Sequence, residues 1–271
     1  MGNKYIKIFI TGASSGIGRQ LALDYGKAGA ELWLLARSES KLSDLSGEIE
    51  KAGGQAHNLV CDATDEPAFL KALGIAQEES GGFDLVIANA GWGGRMQYPG
   101  DRNIEVLNQV IDLNFRAATQ TLEVFAKFMV IAKHGHLVGV SSIAGFRGAP
   151  SAAAYSATKA ALISYLESLR FSVRPFGVFV TDIRPGFVRT PMTDRNVVPM
   201  PFLMEVDKAS HKIRRAIARR RKRFTFPWQM AVLLHLIKAT PDFIYDWVAG
   251  ITFGKQAVSG RTGKSESNTP E

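Results

Sequence analysis

Short apolar runs alternate along this chain with longer amphipathic ones, and the alternation predicts its secondary structure. "YIKIFITG" (5–12) is β-branched, short and closed by glycine, which reads as a strand. "GIGRQLALDYGKAGA" (16–30) reads as a helix closing near Gly29, and "ELWLLAR" (31–37) as a second strand. "SESKLSDLSGEIEKAGG" (38–54) opens on a capping Ser38 and ends on two glycines, a helix with start and stop signals. "QAHNLVCD" (55–62) is strand three. "TDEPAFLKALGIAQEES" (64–80) is the next helix, with Thr64 as its expected cap and Pro67 in its first turn. "FDLVIANAG" (83–91) is strand four, 103–133 a long helix, "GHLVGVSS" (135–142) strand five, 152–174 a helix and "GVFVTDIRPG" (177–186) strand six.

Strand and helix thus alternate six times, and the strands are nearly continuous in apolar residues. That pattern belongs to a parallel sheet covered by helices on both faces. The expected fold class is α/β, one doubly wound, Rossmann-type domain over 1–253. Its regular alternation ends near residue 190. Residues 190–222 read as an inserted helical segment, a candidate substrate lid. "RFTFP" (223–227) returns as a candidate seventh strand. Residues 228–253 read as two apolar helices broken at Pro241, and the polar tail 254–271 as a disordered end.

Composition changes this picture little. The 271 residues are 46% hydrophobic and 21% charged, ordinary for a globular chain. Cys61 is the single cysteine, so an internal disulfide is excluded and a reducing compartment is expected. No Cys/His spacing suits a structural zinc, and the expected metal complement is none. The N-terminal apolar run is too short for a signal peptide. Ile6 stands where myristoylation needs Ser or Thr. The expectation is a cytoplasmic protein.

Charge is more local. The net +8 comes from residues 208–223, which hold nine Lys or Arg and no acid, leaving 24 basic against 25 acidic residues elsewhere. This excludes a general nucleic-acid-binding surface, and no recognised binding motif accompanies the charge. Followed by Trp228, Met230, Val232, Leu233, Leu234, Leu236 and Ile237, the tract has two readings. One is a surface-binding amphipathic arrangement, making 208–237 a candidate for peripheral membrane contact. The other is a solvated helix face followed by a core helix.

Candidate chemistry lies at the predicted strand ends. Gly12, Gly16 and Gly18 sit in the first strand-to-helix turn, where glycines let backbone N–H groups approach a pyrophosphate at a helix N-terminus. A sterically required turn would use the same residues. At the end of strand two stands Arg37, where an NAD-binding chain places an acid. A guanidinium suits a 2′-phosphate, although a solvated strand-end charge is the plainer alternative. Tyr155 and Lys159 are one helical turn apart, so they share a helix face. A neighbouring ammonium favours phenolate, and Lys159 is therefore expected to lower the Tyr155 pKa toward a useful range. Ser142, at the end of strand five, can donate to a carbonyl oxygen; taken alone it is an ordinary turn residue. Asn114, taken alone, is a polar group inside a helix.

"TGASSGIG", "NAG" (89–91), Asn114, "SS" (141–142), "YSATK" (155–159) and "PG" (185–186) occur in the order and spacing of the short-chain dehydrogenase/reductase family. The chain resembles that family over about 5–192. The resemblance implies Tyr155 as acid/base, Lys159 as its helper, Ser142 as the group orienting the substrate carbonyl and Asn114 as the member completing a proton relay. It further implies a cofactor set of Gly12, Ser14, Ser15, Gly16, Ile17, Gly18, Arg37, Asp62, Asn89, Tyr155, Lys159, Val188 and Thr190. Asp62 matches the adenine contact, Asn89 the support of the central strand, and Thr190 the nicotinamide amide contact. The implied cofactor is NADP(H), and the implied assembly a homodimer or homotetramer paired through the long helices 103–133 and 152–174.

Trp92, Met96, Phe146, Phe187, Met192, Met200, Phe202 and Met204 form a candidate apolar wall, pointing to a lipid, steroid, retinoid or acyl-type carbonyl or alcohol. The "RFTFP…YDWV" end resembles the hydroxysteroid-dehydrogenase-like branch and departs from the acidic "DGG" tail common elsewhere in the family. An NADP-binding sensor or membrane-surface adaptor without turnover is the competing class, and the Asn–Ser–Tyr–Lys set speaks against it.

Overall fold

The computed structural model describes residues 5–94, 103–148, 152–194 and 200–247. Its seven strands are β1 (Lys7–Thr11), β2 (Glu31–Ala36), β3 (Gln55–Val60), β4 (Leu85–Ala88), β5 (Gly135–Val140), β6 (Val178–Pro185) and β7 (Arg223–Phe226). All pair in parallel, in the order β3-β2-β1-β4-β5-β6-β7. β4 and β5 are buried along their whole length, as their unbroken apolar character requires, while the edge strands β3 and β7 are largely open.

Strand residues sort by parity into two cores. Ile8, Ile10, Leu32 and Leu34 face a layer containing α1 (Gly16–Gly26), α2 (Glu39–Lys51) and α7 (Val206–Ala218). Phe9, Trp33, Leu35 and Leu137 face α3 (Glu66–Ser80), α5 (Ala117–Ala132) and α6 (Ala153–Val173). The period-2 alternation of a strand is what lets one sheet serve both layers.

Several expectations shift in detail. The predicted helix 103–133 is α4 (Ile104–Ile111), a π-helical turn (Asp112–Arg116) and then α5. The cap of α3 is Asp65, which accepts from the Ala68 N–H at 3.2 Å; Thr64 instead donates to Asp62. Carboxylates are the stronger acceptors at a positive helix start. Among the described residues of the candidate lid 190–222, the helix is α7. Before it, Val188 bridges to Met204, so the segment leaves and rejoins the sheet's edge.

The basic tract is mostly solvated face and internal contact. Ile213, Ala216 and Ile217 bury the inner side of α7. Arg214 lies 4.9 Å from the Tyr25 ring and Arg220 3.7 Å from that of Phe179. A hydrogen-bonded chain ties the tract's end to the sheet: Tyr5 Oη to His136 Nδ1 at 2.7 Å, His136 Nε2 to Thr181 Oγ1 at 2.8 Å, and Thr181 donating to the Arg221 carbonyl at 2.6 Å.

On the helix that follows, α8 (Trp228–Ala239), Met230 is buried while Val232 and Leu233 are exposed. Trp228 is 70% exposed and Leu236 64%, and Phe243 in the helical segment over 242–247 is 73% exposed. Because β7 runs parallel to the rest, residues 219–222 lie at the sheet's N-terminal edge and α8 begins at the opposite one. Four strand residues, roughly 13 Å, separate the charge from the apolar surface. No helix among the described residues is long and apolar enough to cross a membrane. The tail 254–271 lies outside the described residues.

Packing at the first turn is tight. A Cβ on Gly18 would stand 2.3 Å from the Gly12 carbonyl oxygen and 2.5 Å from Asn89 Nδ2. Gly18→Ala should therefore cost about 1–3 kcal/mol of stability, the usual penalty for overpacking. Gly47, inside α2, has open space at its Cβ position, and Gly47→Ala should add about 0.5–1 kcal/mol. Urea titration of both variants checks the contrast, and equal midpoints would contradict it.

Candidate active site

In an all-parallel sheet every strand delivers its following loop to the same edge. Gly12 follows β1, Arg37 β2, Asp62 β3, Asn89 β4, Ser142 β5 and Val188 β6. The strand order reverses at β1, whose neighbours are β2 and β4, and a crevice opens at that reversal. The structure therefore gathers the predicted nucleotide residues along one edge.

The glycine turn is locked to β4 from beneath. Thr11 Oγ1 accepts from the N–H groups of Asn89 (3.0 Å) and Ala90 (3.1 Å), and Asn89 Nδ2 donates to the carbonyls of Thr11 (3.1 Å) and Gly12 (3.2 Å). Gly12 and Gly16 take φ of +66° and +54°, a region that favours glycine. Ser15 is the N-cap of α1 and makes no side-chain capping bond. The first N–H groups of α1 thus remain for an anion. Ser14 is half-buried in the turn, and Ile17 packs on the core. Thr190 folds back over the turn: a Cβ on Gly16 would lie 3.1 Å from its Cγ2. Val188 is buried beside it. At the far end, Arg37 and Asp62 form an ion pair at 3.6 Å, both about 40% exposed, with Asp62 pinned by the Thr64 N–H and hydroxyl. The donor set, a bare helix start and a guanidinium beyond β2, fits a nucleotide carrying phosphate groups.

Around the crevice's inner end, α6 brings Tyr155 and Lys159 to the end of β5. Ser142 is the N-cap of a 3-10 turn (Ile143–Gly145), accepting from the Ala144 N–H at 3.1 Å. That turn presses directly on α6, since a Cβ on Gly145 would lie 2.8 Å from the Lys159 carbonyl carbon. The Ser142 hydroxyl faces the Tyr155 phenol and favours its ionised form. Lys159 is buried, donates from Nζ to the Val140 carbonyl at 2.9 Å, and sits 5.7 Å from the Tyr155 ring centroid. Asn114, in the π-helical turn, is fully buried; its Oδ1 accepts from the Trp92 N–H (2.7 Å) and its Nδ2 donates to the Trp92 carbonyl (2.8 Å). Its carboxamide flanks Gly91 together with Lys159 Nζ, 3.1 and 3.4 Å from a Cβ built there. π-turns of this kind recur at functional sites because they re-aim side chains within a helix.

Electrostatics differ from the sequence expectation in one respect. Burial raises the Tyr155 pKa above that of a free phenol, and the contact that opposes it is the Ser142 hydrogen bond. Lys159 does not dominate, because its ammonium is itself desolvated and committed to the Val140 carbonyl. Burial pushes the Lys159 pKa down to about 8, against the pull of the Asp182 carboxylate. At neutral pH the site holds a neutral phenol and a charged lysine. The phenol can therefore give a proton, and Ser142 can donate to the same oxygen.

Residues beyond the predicted set complete the site. Thr158 accepts weakly from Asn114 Nδ2 at 3.4 Å. Asp182 accepts from the Ser141 hydroxyl at 2.5 Å and from Arg184 Nε at 2.6 Å. An acid and an arginine two apart in an otherwise apolar strand were the available signal. Phe146 and Phe187 are half-buried, Met204 packs on the core, and Met192 and Phe202 are exposed. Met96 lies outside the described residues.

The profile of a family described as short chain dehydrogenase matches residues 7–198. A Myxococcus xanthus protein described as an uncharacterized oxidoreductase is 42% identical over 248 residues, 90% of this chain and 96% of that protein. A 3beta-hydroxysteroid dehydrogenase from Mediterraneibacter gnavus is 32% identical over 189 residues, 70% of this chain and 68% of that protein. Among solved structures, a short-chain dehydrogenase from Sphingobium yanoikuyae in complex with NADPH matches with a TM-score of 0.77 at 25% identity, covering 97% of this chain and 98% of that one.

The buried ammonium has a stability consequence. Below about pH 8 Lys159 is charged whether folded or unfolded, so folding bears the full desolvation cost. As pH rises from about 8 toward the ordinary 10.5, the folded lysine is already neutral and the cost fades. Lys159→Met should thus stabilise the protein at pH 7 by roughly 1–3 kcal/mol, net of a lost hydrogen bond. The gain should shrink across that alkaline window, which denaturation midpoints at pH 7 and pH 10 would reveal.

Proposed function

The chain belongs to the short-chain dehydrogenase family, and from that premise we propose that it is an NADP(H)-dependent oxidoreductase that interconverts a carbonyl and an alcohol on an apolar substrate. The observation that carries this reading is the convergence of Ser142, Tyr155 and Lys159 at the end of β5. The residues along that edge of the sheet would hold a nicotinamide cofactor, which would supply or accept the hydride. A carbonyl oxygen seated at Ser142 and Tyr155 accepts a hydrogen bond from each, and the phenol protonates it as negative charge develops. Oxidation of an alcohol needs the phenolate. Burial holds the Tyr155 proton in place, so reduction is favoured at neutral pH and oxidation at alkaline pH. Lys159 and Asn114 stand behind the phenol, where a proton can be returned to it.

Arg37 supports NADP(H) over NAD(H), because a guanidinium at the end of β2 meets a 2′-phosphate with charge-assisted hydrogen bonds. The NADPH bound by the Sphingobium yanoikuyae protein is consistent with this. The apolar character of Phe146, Phe187 and Met204 supports a lipid, steroid, retinoid or acyl substrate, and the steroid named for the Mediterraneibacter gnavus relative is consistent with that class. A homo-oligomer paired through the long helices is supported by large apolar side chains left open on them: Phe128 and Ile131 on α5 and Phe171 on α6. A sensor or adaptor would need neither the buried lysine nor the Ser142–Tyr155 contact.

Two measurements test the reading. Tyr155→Phe should reduce NADPH oxidation, on whichever ketone or aldehyde of a panel is turned over, by at least about 10²-fold. Its NADPH affinity should stay that of the wild type; substantial residual turnover would remove the role given to the phenol. Arg37→Ala should weaken NADPH binding roughly tenfold or more and leave NADH binding unaltered. Tighter binding of NADH than NADPH by the wild-type protein would overturn the cofactor assignment.

A further inference from the structure

The geometry points to Asp182 as a positioning residue of this site: through Ser141 it holds the end of β5 so that the Val140 carbonyl meets Lys159 and the Ser142 hydroxyl meets Tyr155. This rests on the oxidoreductase reading above. Ser141 is the residue between those two contacts. It is buried, and its hydroxyl donates to Asp182 Oδ1 at 2.5 Å. Asp182 Oδ2 accepts from Arg184 Nε at 2.6 Å, and both partners are more than nine-tenths buried. The Arg184 guanidinium in turn lies 5.2 Å from the ring of Phe146, just beyond the Ser142 turn.

The carboxylate is not needed to align the strands. The β5–β6 ladder already continues past β5, with the Ser141 N–H donating to the Ile183 carbonyl at 2.8 Å. A buried ion pair is costly, and two packed apolar side chains commonly stabilise a fold as well or better. What Asp182 adds is a fixed Ser141 side chain and a negative charge near a buried ammonium. The groups around Lys159 that titrate or carry charge are few. Tyr155 is on its own helix, Asp182 and Arg184 are on β6, and Arg223 on β7 acts more remotely through Asp182. β5 offers the Val140 carbonyl, and the segment after β4 and the π-turn offer Gly91 and Asn114, which do not titrate. Asp182 is thus the anion that favours the charged form of Lys159. Without it, Lys159 loses its proton at a lower pH, and the uncompensated Arg184 pushes the same way.

The test compares wild type, Asp182→Asn, Asp182→Asn/Arg184→Met and Ser141→Ala on the substrate found by the NADPH-oxidation panel. Asp182→Asn should lower kcat on the order of 10–100-fold, as for a displaced catalytic group, with KM little altered. The alkaline limb of its pH profile should move to lower pH. The double variant, free of a buried unpaired charge, should return the limb only by the share due to Arg184, while kcat stays low. Ser141→Ala, which keeps both charges, should lower kcat without moving the limb; it also stands in should Asp182→Asn not fold. An active wild type whose folded variants keep its kcat and limb overturns the proposal alone. A wild type that oxidises no NADPH on the panel overturns the oxidoreductase reading and the proposal with it, so the two failures are distinct.

Discussion

An ammonium group taken out of water is the constraint around which this site is arranged. Lys159 could have snorkelled to solvent from α6, as lysines do. Instead its Nζ ends on the Val140 carbonyl beneath the helix. That burial fixes a charge at the one place where β5, the segment after β4 and the π-turn meet. It also dictates small or neutral neighbours: glycine at position 91, a carboxamide at 114, backbone at 140. The same loss of water raises the phenol's hold on its proton. Desolvation moves the two pKa values apart: the lysine falls to about 8 while the phenol rises above its ordinary value, so as pH increases the lysine gives up its proton first and the phenol keeps its own.

The parallel sheet makes that arrangement reachable. The inner strands are buried on both faces, and because all seven run parallel the six loops beyond β1–β6 emerge at one edge. Nucleotide-facing and carbonyl-facing residues then differ mainly in which strand they follow. The tight fit of Gly18 beneath Gly12 and Asn89 lowers the first turn onto β4, and the contact of Gly145 with α6 seats Ser142 against Tyr155. Backbone approach sets the geometry at both ends of the crevice, and side-chain chemistry is placed upon it.

Much of this was legible in the chain. Continuous apolar strands announce a two-sided parallel sheet, and six short motifs in order announce the edge residues. What escaped was whatever depends on packing between distant segments. The direction of the Tyr155 shift was misread because spacing reveals a neighbour and not its hydration. Asp65 displaced Thr64 as a cap because both types can serve, and only the backbone path decides. The π-turn at Asn114 has no periodic signature within a predicted helix. Asp182 and Arg184 carry no motif, and their meaning, like that of Ser141 within its motif, emerges only once β5 and β6 are side by side.

The C-terminal segment shows the same limit from the other side. Its apolar composition suggested a core helix, yet α8 leaves Trp228 and Leu236 in the open. Its anchoring comes instead from one loop of the site. Arg147 donates to the Thr240 carbonyl at 2.7 Å, pairs with Asp242 at 2.6 Å and lies 4.0 Å from the Tyr245 ring, while the Tyr245 hydroxyl donates to the Gly148 carbonyl at 2.6 Å. The ion pair is solvent-exposed on the Asp242 side and adds little by itself. The backbone and ring contacts hold the segment against the residues that run from Ser142 toward Tyr155. The residues that follow Ser142 are thus braced by a part of the chain that shares none of the quoted motifs, and the two separate stretches of sequence are joined at Arg147.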